Sequence, residues 1–175
     1  MKFVQFLGLT VLLCSVDFVM GGGGVGIPKK EDVPKYLKQL QTSISAADRA
    51  KAAEMLGKRG GINADDVEEA VEPLKKALQK DKDSKVRVAA ARALGNIHSK
   101  AKDTVPILID RLKNDDVMEV KMATVVALGQ YGAEAKEALP DLRELAKKFD
   151  AKKSKDGQTV LATIKLITGA KMKKT

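Results

Sequence analysis

Few residues in this sequence are of a type and spacing that could do covalent chemistry. The 175 residues hold one histidine, His98, set in the polar turn Asn96-Ile97-His98-Ser99. A zinc or paired-iron site needs several ligands converging on one point, so His98 cannot build one and reads as a solvent-facing loop residue. The one cysteine, Cys14, precludes a disulfide or cysteine-based metal site within a single chain. Acidic pairs occur at Asp65-Asp66 and Glu68-Glu69. They suit the positive end of a helix better than an acid/base dyad. Gly21–Gly24 follows an apolar leader rather than a strand, so it is not a phosphate-cradling loop. No catalytic residue, metal site or cofactor is expected, which leaves binding as the chemistry to look for.

Charge gives the first binding candidates. The net charge is +9, yet nine lysines and two aspartates between Lys147 and Thr175 supply +7 of it. The rest of the chain is close to neutral. Lys152, Lys153, Lys155, Lys171, Lys173 and Lys174 are therefore candidates for holding an anionic surface or polymer, with affinity that falls as salt rises. Nucleic acid is an unlikely partner, because no aromatic residues interleave with these lysines to stack on bases.

The elements that must position such groups are helices. Aromatics make up 3% of the chain, with no Trp, so a core must come from Ala, Leu, Val and Ile. A phrase recurs after 34 residues: Val86-Arg87-Val88-Ala89-Ala90-Ala91-Arg92-Ala93-Leu94-Gly95, then Val120-Lys121-Met122-Ala123-Thr124-Val125-Val126-Ala127-Leu128-Gly129. A worn copy spans Asp48 to Gly57. Such a period signals stacked helical pairs. Each copy is expected to stop at its glycine, which tolerates a left-handed turn. Apolar triplets at i, i+3, i+7 mark the alternate helices: Val33/Tyr36/Leu40, Val71/Leu74/Leu78, Val105/Leu108/Leu112 and Leu139/Leu142/Ala146. Pro34, Pro73, Pro106 and Pro140 stand near their starts, where a missing N–H costs little; at Pro73 an earlier helix start would make it a kink. Thr159–Ile167 is apolar but lacks the phrase, and reads as a helix capping the stack. The fold class is all-α, an α-α superhelix of about three and a half repeats.

Residues 1–21 have the outline of a secretory signal peptide: Lys2, an apolar run from Phe3 to Val16, and Val19-Met20-Gly21. Residues 22–32 form a Gly-rich linker, 33–168 the solenoid with its cap, and 169–175 a basic tail. The expected localisation is exported, periplasmic or extracellular. No transmembrane helix is expected in the mature chain.

The repeated phrase and the following Val105-Pro106-Ile107-Leu108 with Leu112 resemble HEAT repeats, specifically the short type of phycobilisome-lyase-like proteins. The resemblance covers about Val33 to Phe149. It implies that Arg49, Arg87 and Lys121 bond loop groups of the neighbouring repeat, with Asp83 and Asp116 the nearest carboxylates. It implies a scaffold more than an activity. The expected function is an exported, non-enzymatic protein–protein interaction module. Its concave face would be lined by the triplet-bearing helices through Lys75, Lys76, Asp110, Arg111, Arg143 and Lys147, and its partner would be another protein. The alternatives are anionic-surface binding through the lysines above, and a non-catalytic subunit of an enzyme complex.

Overall fold

The computed structural model describes residues 26–149 and 153–169. Eight α-helices follow one another there: α1 Val33–Thr42, α2 Ala46–Gly60, α3 Val71–Lys80, α4 Ser84–Ile97, α5 Ala101–Asn114, α6 Met118–Tyr131, α7 Leu139–Lys147 and α8 Lys155–Thr168. Short 3-10 turns, Ala64–Ala70 and Gly132–Ala138, precede α3 and α7. The expected signal peptide (1–21), the first four linker residues (22–25), Lys152 and the tail lysines Lys171, Lys173 and Lys174 lie outside the described residues.

The helices start where side chains accept their free N–H groups. Ser45 accepts from the Asp48 amide at 3.3 Å, Asp83 from the Lys85 amide at 2.8 Å, and Ser154 from the Gly157 amide at 3.2 Å. Tight turns at 43–45, 81–83 and 115–117 fold α1 onto α2, α3 onto α4 and α5 onto α6; a longer turn folds α7 onto α8. Counted from the repeated phrase, the array is three and a half repeats with a cap. Counted from the turns, the same helices are four antiparallel hairpins. Val71, Leu74, Leu78, Val105, Leu108, Leu112 and Leu142 are buried between the layers, while Tyr36, Leu139 and Ala146 are half-buried at its edges.

The phrase glycines do not end their helices. α2 continues past Gly57 to Gly60, α4 past Gly95 to Ile97, and α6 past Gly129 to Tyr131. Their role is close approach. A Cβ on Gly57 would lie 2.6 Å from the Ala93 Cα, and one on Gly95 would lie 2.8 Å from the Ala127 Cα. The stops fall later: His98 takes a left-handed φ of 44° after α4, and Gly132 a φ of 52° after α6. Pro106 also departs from expectation. α5 begins at Ala101, so Pro106 lies inside the helix rather than in its first turn. Pro34 and Pro140 do occupy the first turns of α1 and α7.

These glycines draw α2, α4, α6 and α8 together into one closely packed layer, whereas α1, α3, α5 and α7 touch one another at few points. The glycine-bearing helices therefore form the closely packed layer, here termed the inner layer, and the triplet-bearing helices the looser, outer one. The triplet-bearing helices, expected to line the concave side, make up this outer layer. The register also explains the cap. Gly129 packs against Thr163 as Gly95 packs against Ala127 and Gly57 against Ala93. Two residues beyond Ala93 and Ala127 stand Gly95 and Gly129; two beyond Thr163 stands Lys165. A lysine where close approach requires glycine closes the stack to a further helix.

Candidate interaction face

The repeating cations are structural. Arg49 donates to the Ser43 and Ile44 carbonyls of its own turn, and its Nε and Nη2 reach both Asp81 oxygens at 2.7 and 2.8 Å. Arg87 repeats the pattern one hairpin on. It donates to the Asp81 and Lys82 carbonyls, to both Asp115 oxygens at 2.9 Å, and to Asp116 at 2.8 Å. The partners are thus Asp81 and Asp115, with Asp116 added at the surface; Asp83, expected for this role, caps α4 instead. The Asp115 side chain is 1% exposed. Burial pushes its carboxyl up, but Arg87 and the Val117 amide outweigh that and hold it below the usual carboxylate range. Asp81 is held low in the same way by Arg49 and the Asp83 amide, against burial. The third rung is different: Lys121 donates to the Lys113 carbonyl at 2.9 Å.

The six residues expected to bind a partner lie on the outer layer and differ in exposure and pairing. Lys75 is buried, 9% exposed, with its ammonium on Glu72 at 2.7 Å, because its stem packs along the hairpin. It is therefore not the exposed contact the sequence suggested. Arg111 is half-buried and tied to Asp110 at 2.6 Å, so those two partly neutralise each other. Lys76, Arg143 and Lys147 are exposed. Of the candidate lysines for an anionic surface, Lys153 and Lys155 are exposed on or beside α8. His98 is exposed and meets Tyr131 edge-on, with ring centroids 5.6 Å apart. Tyr131 is buried and donates to the Leu94 and Ser99 carbonyls; burial raises its pKa to about 12. Among the described residues no cluster of His, Cys, Asp and Glu could hold a metal, and no helix is long and apolar enough to cross a membrane.

The inner layer carries what the repeat does not dictate. The side chain of Gln130 donates to that of Asn96 at 2.9 Å across α4 and α6, which fixes equivalent positions side by side. One turn back stand Arg92 and Val126, and in α8 the same two positions are Ala162 and Leu166. All four are exposed; Val126 is 45% and Leu166 64% accessible. Met122, one turn before Val126, is half-buried. α6 therefore exposes apolar Met118 and Val126 beside Glu119 and Gln130, unlike α2, whose exposed Glu54 pairs with Lys58 at 2.7 Å. Arg92 has no ion pair or hydrogen-bond partner for its guanidinium among the described residues, whereas Arg49, Arg59, Arg87 and Arg111 each hold a carboxylate. The sequence signal for this face was the unmatched seventh position of the phrase, Arg92 against Val126.

The model of the HEAT-repeat family matches residues 33–125 and again 71–153. Both matches start on the first residue of an outer helix, α1 and α3. Comparison with curated proteins gave no match. With more than half of its length matched, and with stacked helical pairs in its fold, the chain belongs to the HEAT-repeat family.

Proposed function

We propose that this chain is an exported, non-enzymatic scaffold that binds another protein through the inner face of its helical stack. The observation that supports this is the exposed apolar side chains of α6 and α8, Val126, Ala162 and Leu166, with half-buried Met122 beside them and Arg92 flanking. A surface helix is normally polar on its outer side, and one that is not marks a contact surface. Export rests on the leader of residues 1–21 and its outline as a signal peptide.

The test places a photoreactive residue at Val126, and separately at Arg143 of the outer layer, in the full chain inside the producing cell. A discrete crosslinked protein from position 126 and none from 143 is the expected result. The reverse pattern would move the binding surface to the outer layer. N-terminal sequencing of the secreted form should begin near Gly21; recovery of the intact leader in the cytosol would remove export.

Anionic-surface binding is the second reading, favoured by the exposed Lys153 and Lys155 beside α8 and by the +7 charge from Lys147 onward. Lys171, Lys173 and Lys174 join them in sequence. Deleting residues 169–175 should lower retention on an anionic matrix at low salt; unchanged retention would dismiss the tail.

A further inference from the structure

We infer that the occupant of the inner face is an acidic amphipathic helix of the partner protein, its apolar side laid over α6 and α8 and its carboxylates directed at Arg92. The inference rests on the inner-face reading above and adds the chemistry of what binds there. Three features carry it.

The first is shape. Met122 and Val126 stand four residues apart on α6, and Ala162 and Leu166 stand four apart on α8. The two helices pack side by side, with Thr163 donating to the Val125 carbonyl at 3.3 Å. Two such i, i+4 ridges on neighbouring helices form the kind of surface against which a helix ridge packs. A guest helix would read it through apolar residues at i, i+3, i+4 and i+7. Ala162 is a small exposed residue, and the thioether of Met122 can adapt to the guest's side chains.

The second is charge. The apolar strip is bordered on the α4 side by Arg92, whose guanidinium has no acidic partner among the described residues. Lys85 and Lys155 are exposed at the starts of α4 and α8, and Glu119 is the acid between them on α6. The unpaired balance is cationic. Arginine presents a planar fork that takes a carboxylate in two parallel hydrogen bonds.

The third is contrast within the same layer. At the N-terminal end of the inner face the equivalent charges, Glu54 and Lys58, satisfy each other. Arg92 is the inner-face arginine that the stack itself does not use.

The probe is a short fluorescent peptide with leucines at helical spacing on one face and glutamates on the other. Its controls are a scrambled peptide and a version with lysine in place of glutamate. Titrated with the full chain, the acidic peptide should raise anisotropy saturably, more tightly than either control and more weakly as salt rises. Val126→Lys should weaken it about tenfold or more with helical circular dichroism unchanged. Arg92→Glu should reverse the preference toward the lysine peptide, a change that loss of folding could not produce. Equal binding of acidic and scrambled peptides, or an unaltered preference in Arg92→Glu, would overturn the inference. So would concentration-dependent self-association abolished by Val126→Lys, which would make a second copy of this chain the occupant. Failure of the peptides while position 126 still crosslinks a partner protein removes the acidic helix and keeps the scaffold. Failure of both removes both.

Discussion

The stack is clamped at two of its hairpin interfaces and relaxed at the third. Between the first and second hairpins, Arg49 grips Asp81 and Gly57 lets α2 lie against the Ala93 backbone. Between the second and third, Arg87 grips Asp115 and Gly95 meets Ala127. Between the third and fourth, Lys121 holds a carbonyl, Phe149 stands where the count from Asp81 and Asp115 would place an acid, and a Cβ on Gly129 would meet side-chain atoms rather than backbone, Thr163 at 3.2 and 3.4 Å and Leu166 at 3.5 Å. The apolar inner surface begins at this relaxed interface. The clamps and the proposed recognition surface therefore occupy different ends of one repeat array, and the residues that secure the stack are not those we propose to meet a partner.

The hardest way to break this contrast is acid, which attacks both clamps at once. Asp81 and Asp115 have folded pKa values below their unfolded ones, so their contribution is fully present above the unfolded value of about 3.9. It is lost as pH falls from there through the depressed folded values. Denaturant midpoints should stay level from neutrality to about pH 4 and drop below it. At the opposite extreme Tyr131, whose hydroxyl joins α6 to the end of α4, has a folded pKa raised to about 12. Its contribution should be complete below about pH 10 and disappear as pH rises through about 12. A midpoint that stayed level through both windows would show that the clamps carry little stability.

Arg87→Ala should be the most damaging single change. It leaves the buried Asp115 carboxylate without its partner, a loss of about 3–5 kcal/mol for a broken buried pair. Arg49→Ala should cost less, about 2–3 kcal/mol, because the Arg49–Asp81 pair is more exposed. Urea denaturation followed by circular dichroism measures both. Equal losses at the two positions would show that burial does not grade the clamps.

The helix faces were legible because Val71, Leu74, Leu78 and their counterparts must all point one way to be buried. The capping helix was legible because Thr159–Ile167 kept an apolar face without the repeat phrase. The clamp partners were not. Asp81 and Asp115 precede the acids nearest the helix starts, and sequence alone does not distinguish a turn carboxylate that caps from one that also reaches the next arginine. The glycines misled for a similar reason. Leu-Gly at the end of an Ala-rich run has the composition of a helix stop, and only the neighbouring backbone at 2.6–2.8 Å shows that the side chain is missing for packing. The inner face was hidden because the eye follows positions that repeat, and Arg92, Val126 and Ala162 do not.

Glycine substitutions sharpen the comparison at smaller amplitude. Gly57→Ala drives a methyl group into the Ala93 backbone, which cannot move aside cheaply, and should cost about 1–3 kcal/mol. Gly129→Ala meets side-chain atoms of Thr163 at 3.2 and 3.4 Å, so a small shift accommodates it. The gain in helix propensity, about 1 kcal/mol, then offsets the strain, and the change should be neutral or mildly stabilising. Thermal melts would separate the two; a comparable loss at Gly129 would mean that the third interface is as tight as the others.

The smallest effect belongs to Lys121→Ala. Its ammonium makes one exposed hydrogen bond to the Lys113 carbonyl and lacks the carboxylate that Arg49 and Arg87 hold. A flexible lysine stem gains little from such a contact once its ordering entropy is counted, and the loss should stay under about 1 kcal/mol. The substitution nevertheless discriminates between two accounts of the repeat. If the basic position were required for each hairpin to dock, all three cations would matter alike, and Lys121→Ala would approach Arg87→Ala. If the clamp requires the buried acid of the following turn, the third position is already without one, and removing its cation changes almost nothing. The second outcome would leave α7 and α8 held chiefly by apolar packing. The exposed residues of α6 and α8 could then be altered for binding without disturbing the two clamps that keep the array together.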